Sequence, residues 1–213
     1  MLKLYGFYLS SAACRVRIAL NLKGLPYESI SVDLRHRAHR TPEYAAINPQ
    51  QAVPVLVDDA RTLTQSMAII EYLEETHPQP PLLPATAIER ARVRALAQLI
   101  ACDVHPLNNQ RVLLYLRDVL GVGKEAKDEW YRHWIAQGFG PLEKMLSSSS
   151  ETGSFSYGNA PTLADVCLVP QVFNAQRFEV DLKPYPTVMQ IFDACMRLPA
   201  FDRAQPSKQA DAK

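Results

Sequence analysis

Ser10-Ser11-Ala12-Ala13-Cys14-Arg15-Val16-Arg17-Ile18-Ala19-Leu20-Asn21-Leu22-Lys23-Gly24 begins where a short apolar run ends in two hydroxyls, and it carries a helix. Val16, Ala19, Leu20 and then Leu25 recur at helical spacing, and Gly24 suits the position just past a helix C-terminus. Before the serines, Leu2, Leu4 and Phe7 read as a buried strand. Ser10 and Ser11 therefore sit at a strand-to-helix junction, where unpaired N–H groups and the positive end of the helix dipole favour an anion. A thiolate is one such anion; a plain N-cap uses the same geometry.

Outward from this stretch, Ile30, Val32 and Leu34 alternate with Ser31 and Asp33, which predicts a second strand. Arg35 to Pro49 is polar and reads as a loop with one turn of helix around Glu43 to Ile47. Its His36 and His39 read as solvated side chains, because no Cys or further His lies nearby to complete a zinc site, and no metal is expected. Val53-Pro54-Val55-Leu56-Val57 is a strand with a proline in its opening residues, Asp58 to Arg61 a turn, and Thr62-Leu63-Thr64 the antiparallel return. Ser66 is a candidate N-cap for a helix that turns Met67, Ile70 and Leu73 inward and Glu71, Glu74 and Glu75 elsewhere. The order β-α-β-α-β-β-α excludes a doubly wound sheet and fits a small α/β sandwich.

Pro78, Pro80, Pro81 and Pro84 make the next segment a stiff linker. The chain thus divides into an α/β domain over residues 1–80, a linker over 81–87 and an all-α domain over 88–213. In the latter, Val93, Leu96, Ile100, Val104 and Leu107 line one long helix that Pro106 is expected to kink. Lys124 to Ser147 turns Trp130, Trp134, Phe139, Leu142 and Leu146 inward. Thr162-Leu163-Ala164-Asp165 is a capping box, and the apolar Val166 to Phe173 behind it is the core helix of its domain. Val188, Ile191, Phe192 and Cys195 pack beside that helix, and Arg203 to Lys213 is polar enough for a loose tail.

A chain of 213 residues suffices for two such domains. Its 23 basic and 22 acidic side chains leave a net charge of +1, so no nucleic acid and no acidic membrane is expected as partner, and the ligand is expected to be small. No apolar run reaches the length of a signal peptide or a membrane span, which predicts a cytoplasmic protein. Cys102, Cys167 and Cys195 fall in apolar helical patterns and read as packed thiols. Cys14 reads the same way, because serine stands where a redox centre needs its attacking thiol.

Several pairs and short runs in this order carry a further signal: Ser10-Ser11 with Arg15-Val16-Arg17-Ile18-Ala19-Leu20, Asn48-Pro49 with Val53-Pro54, and Gln65-Ser66 with Ala68-Ile69-Ile70-Glu71-Tyr72-Leu73-Glu74. His105-Pro106-Leu107-Asn108-Asn109, Leu168-Val169-Pro170-Gln171 and Arg177-Phe178 continue it. Over nearly its whole length the chain resembles the cytosolic glutathione transferases, and among them the zeta class, which includes the glutathione-dependent maleylacetoacetate and maleylpyruvate isomerases.

The resemblance implies an N-terminal thioredoxin-like domain, a helical C-terminal domain, glutathione as cofactor and a homodimer. It implies a cis Val53–Pro54 peptide that turns the Val53 backbone toward the cysteinyl part of glutathione like one more strand. Gln65 and Ser66 then hold the γ-glutamyl carboxylate, with Gln51, His105, Asn108 and Asn109 as further cofactor contacts. Ser10, or alternatively Ser11, donates its O–H to the sulfur and favours thiolate over thiol. Cis–trans isomerisation follows if that thiolate adds to the alkene, the new single bond rotates and elimination returns the trans isomer. Arg177 matches one arginine of the substrate clamp, and Arg111 is a second candidate. Three positions depart from the family: Leu9 and Gln110 stand where arginines are found, and Ala12 where Cys is common. A less cationic pocket supports the alternative of a general transferase that conjugates or reduces small electrophiles. A third alternative is a glutathione-binding protein without catalysis, against which the intact Ser10 argues.

Overall fold

The computed structural model describes residues 1–212. In its first compact unit, β1 (Leu2–Gly6) runs parallel to β2 (Tyr27–Ser31) and antiparallel to β3 (Val55–Asp58), which pairs antiparallel with β4 (Arg61–Thr64). The sheet order is β2-β1-β3-β4. With α1 (Ser11–Leu22), α2 (Pro42–Ile47) and α3 (Ser66–Thr76), the order is the expected β-α-β-α-β-β-α. α1 ends as its sequence demands: Gly24 takes a φ of 65°, and the N–H of Leu25 reaches back to the Leu20 carbonyl at 3.0 Å.

Two strand boundaries differ from the alternation. Val32 and Leu34 lie beyond the end of β2: the Val32 N–H still donates to the carbonyl of Gly6, the last residue of β1, at 2.7 Å, and β1 extends no further to pair with Leu34. Val32 instead packs with Tyr44 and Val55. β3 begins at Val55, and the Val53–Pro54 peptide before it is cis.

α1 is buried along nearly its whole length, including Arg15 and Arg17. α3 buries Ile70 and Leu73, as expected, while Met67 is only half-buried and Ile69 takes a place in the core; it also buries Glu74, which its sequence directed elsewhere. The physical reason is Lys23 at the C-cap of α1: its Nζ donates to Glu74 at 2.8 Å and to the carbonyls of His77 and Pro80. Glu74 also accepts the N–H of Leu82, so one buried ion pair joins the ends of two helices to the proline-rich segment.

The same unit contains Met1 to Leu82 and the residues from Arg197 on. This corrects the expectation of a helical domain reaching residue 213 with a loose tail from Arg203. α9 (Pro199–Asp202) buries Phe201. The Ala204 carbonyl accepts from Arg17, and the Asp211 carboxylate accepts from the Tyr8 N–H and the Ser31 hydroxyl, each at 3.0 Å. Polar composition suggested a tail, but its groups are polar because they bond the first unit.

The second unit spans Leu83 to Met196. α4 (Ala87–Gln98) opens with a capping box of Thr86 and Glu89 and continues as a π-helical stretch over Leu99–Val104. The expected kink at Pro106 is a break: proline cannot donate into the helix and clashes with the preceding turn, and α5 (Gln110–Asp118) starts afresh from Asn109. α6 (Lys124–Ser147) buries Tyr131, Ile135, Phe139, Leu142 and Leu146, while Trp130 and Trp134 are half-buried and meet edge-to-face. Where α6 crosses the π-helical stretch, a β-carbon on Gly138 would fall on Val104. α7 (Leu163–Arg177) is buried almost throughout, with α8 (Pro186–Met196) beside it. The buried Asp165 carboxylate accepts the N–H groups of Thr162 and Ser156, the Thr162 half of the expected capping box included.

Two single residues also depart from their patterns. Cys102 is exposed, since the π-helical stretch rotates it off the buried face, and His39 is buried within the polar loop.

Removing one member of a buried ion pair leaves the other uncompensated. Glu74→Ala is expected to lower the unfolding free energy by about 3–5 kcal/mol in urea titrations, and Lys23→Met combined with Glu74→Leu to restore most of it.

Candidate active site

Ser10 occupies the N-cap of α1 in extended conformation, and its Oγ accepts the N–H of Ala13 at 3.2 Å. A hydroxyl that accepts one bond still has its proton to donate, and Ser10 is only half-buried. Ser11 is the first residue of the helix and 6% exposed. The two serines that the sequence left as alternatives thus differ in access.

The turn leading to Ser10 is held from several sides. The Ser10 N–H donates to the Phe7 carbonyl at 2.9 Å, Arg17 donates to the carbonyls of Phe7 and Tyr8, and Asp211 receives the Tyr8 N–H. Arg35 lies against the rings of Phe7 and Tyr8 at 5.6 and 5.5 Å and bonds Asp33. Asp33, also bonded by His36, is held well below the usual carboxylate range. Cys14 is buried and donates to the Ala204 carbonyl at 3.4 Å; burial pushes its thiol up, so it is a packed thiol as expected.

At α3 the cap differs from expectation. Gln65, not Ser66, is the N-cap residue; it takes φ 67° and ψ 115° and gives the helix no side-chain bond. Its amide instead donates to Gln50 at 2.9 Å. Ser66 is buried as the first residue of α3, where its Oγ accepts from Arg15 Nη1 at 3.4 Å. Gln51 has a φ of 51°, and its side-chain oxygen accepts from Arg40 at 2.9 Å. Val53 lies just beyond the β3–β4 ladder, which begins at the Val55–Thr64 pair. A helix N-terminus without a side-chain cap and a strand edge beyond its ladder fit a ligand with a carboxylate and a peptide backbone.

The remaining residues lie in the second unit. His105 follows the π-helical stretch. Asn108 is buried, with its amide nitrogen on the Tyr131 carbonyl at 3.2 Å and its Oδ1 without a partner. Asn109 caps α5 by accepting the Arg111 N–H at 3.1 Å. Arg111 and Arg177 are both exposed. The Arg177 guanidinium sits 5.0 Å from the Phe178 ring, which stacks on Tyr131 at 3.6 Å. The structural roles of Arg15, Arg35 and Arg40 are not legible in the sequence. Charged residues on a helix face or in a polar loop are ordinarily solvated, and only the fold shows their partners.

A family model described as glutathione S-transferase, N-terminal domain, matches residues 4–81. Fold and site thus define a glutathione-transferase architecture. The chain is 50% identical over 211 residues to maleylpyruvate isomerase of Ralstonia sp, covering 99% of this chain and 100% of that one. A holo structure of maleyl pyruvate isomerase, described as a bacterial glutathione S-transferase in the zeta class, superposes with a TM-score of 0.98 at 50% identity, covering 99% and 100%. Maleylacetoacetate isomerase of Methylobacterium extorquens AM1, with bound malonate and GSH, gives a TM-score of 0.96 at 44% identity and covers 99% of each chain. The chain belongs to the glutathione S-transferase family, in its zeta class.

Two outcomes follow from this geometry. A non-glycine residue at the φ of Gln65 is strained, so Gln65→Gly is expected to be more stable than Gln65→Ala by about 1 kcal/mol in chemical denaturation. In the native protein at mildly alkaline pH, a water-soluble disulfide reagent is expected to modify Cys102 quickly and to reach Cys14, Cys167 and Cys195 only on unfolding.

Proposed function

We propose that this protein is a glutathione-dependent cis–trans isomerase of maleylpyruvate or maleylacetoacetate. The observation that carries the reading is Ser10: at the N-cap of α1, half-open, its hydroxyl proton is free to be donated beside a helix N-terminus. The full-length likeness to isomerases supports it.

In this reading Ser66 and Gln65 hold the γ-glutamyl carboxylate at the N-terminus of α3, and Val53 pairs its backbone with the cysteinyl residue. Gln51 contributes a further contact, with Arg40 holding its side chain. Bound glutathione supplies a thiolate that adds to the cis double bond and is expelled after rotation about the resulting single bond. Ser10 donates its O–H to the sulfur, and the dipole of α1 acts in the same direction. Ser11, being buried, secures the first turn of the helix. Arg177 and Arg111, exposed and with no carboxylate partner among the described residues, receive the carboxylates of the diacid. Phe178 and Tyr131 back the Arg177 guanidinium and limit its rotamers. His105, Asn108 and Asn109 complete the cofactor contacts implied by the family; Asn108 is buried, with its Oδ1 unpartnered and its amide nitrogen on the Tyr131 carbonyl.

A specific observation favours a second reading. Leu9 and Gln110 stand where family members carry arginines, and Gln110, the first residue of α5, is exposed, so the chain has fewer cations to offer a diacid. A transferase acting on less charged electrophiles suits such a set of side chains. We take the protein to be a cytoplasmic homodimer; among the described residues no helix is long and apolar enough to cross a membrane. A single monomeric species in sedimentation at micromolar concentration contradicts the dimer.

The deciding experiment follows the absorbance of maleylpyruvate and of maleylacetoacetate with purified protein, with and without glutathione. Fast conversion that requires glutathione is expected; no conversion with glutathione still bound moves the assignment to the transferase. Replacing Ser10 and Ser11 together by alanine is expected to lower the glutathione-dependent rate about a hundredfold, with Ser10→Ala alone accounting for most of it. A rate that survives the double change removes this mechanism. Arg177→Ala is expected to raise the KM for the diacid about tenfold while leaving glutathione binding unchanged.

A further inference from the structure

Two residues apart on α1, Arg15 and Arg17 are both buried, yet their guanidinium groups have different surroundings. Arg17 donates to the carbonyls of Phe7, Tyr8 and Ala204 at 3.1–3.5 Å. Arg15 is 2% exposed, has the Ser66 hydroxyl as its one partner, at 3.4 Å from Nη1, and leaves Nε and Nη2 with none. Among the described residues no ion pair involves it.

A guanidinium keeps its charge throughout the pH range of folded proteins, and burying one without a counter-ion is among the costliest arrangements a fold can hold. Its one partner, Ser66, is the first residue of α3, where the helix N-terminus favours the same sign of ligand. Because Ser66 Oγ accepts from Arg15, its own proton is left for donation outward, and a charged donor behind a hydroxyl strengthens the bond that hydroxyl gives.

We propose that Arg15 is the buried counter-charge of the carboxylate site at the N-terminus of α3. It is a positioning residue: it orients the Ser66 hydroxyl and attracts the ligand's carboxylate from behind, without touching it. The inference rests on the reading of that site as the one for the γ-glutamyl α-carboxylate of glutathione. The competing account is that buried water satisfies the two open N–H groups and that Arg15 has no part in binding.

Titration calorimetry with S-methylglutathione and with 4-aminobutanoyl-S-methylcysteinylglycine, which lacks only that carboxylate, separates the two. The wild type is expected to prefer S-methylglutathione by more than about tenfold, Arg15→Met to lose most of the preference, and Arg15→Lys to keep part of it. An equal preference in wild type and Arg15→Met overturns the inference and leaves the site reading intact. A wild type without any preference removes the site reading and the inference with it. If Arg15→Met does not fold, the wild type still decides through the Nε–Hε NMR signal of Arg15, assigned with Arg15→Lys. A shift with S-methylglutathione and none with the analogue is expected; a signal that responds to both alike, or to neither, overturns the inference.

Discussion

The site depends on one constraint: α1 is buried along nearly its whole length while carrying two guanidinium groups. A buried charge must find partners, and the partners of Arg17 are the carbonyls of Phe7 and Tyr8 before the helix and of Ala204 near the end of the chain. Those bonds hold the turn that delivers Ser10 to the N-cap, and they draw the C-terminal residues onto the first unit. The apolar face of α1, with Val16, Ile18, Ala19 and Leu20, keeps the helix packed while these polar groups are satisfied.

At the other end of α1 the same logic recurs with a charge of each sign. Lys23 and Glu74 are shielded from water and would each be costly alone; together with the carbonyls of His77 and Pro80 and the N–H of Leu82 they close α1 and α3 over the start of the linker. α1 and α3, the two helices that begin beside Ser10 and Ser66, are thereby locked at their C-termini. This is a rigid support for groups whose chemistry requires fixed geometry, and it agrees with Gln65 being held at a φ that a flexible loop would abandon.

The second unit uses neutral polar contacts for the same end. Asn109 caps α5, Asn108 bonds the Tyr131 carbonyl, and the stack of Tyr131 on Phe178 carries Arg177 at its edge. Residues that family resemblance assigns to ligand contact are therefore also those that shape the backbone around them. The two assignments are compatible, because an amide or hydroxyl that makes one structural bond has further bonding capacity.

The sequence by itself determined the order of elements in the first unit, the strand-to-helix junction at Ser10, the capping box at Thr162 and the buried run of α7. Each is a local pattern, read from hydrophobic period or from capping chemistry within a few residues. It also determined the family, since ordered pairs such as Val53-Pro54 and Gln65-Ser66 carry chemistry at fixed spacing. Only the tertiary structure decided which serine is open, which residue caps α3, that Glu74 and His39 are inside while Cys102 is outside, and that the C-terminal residues join the first unit. These depend on partners distant in sequence, as Lys23 is from Glu74 and Arg17 from Ala204. Burial of a charge is a property of the pair and its surroundings, and no period in either segment encodes it.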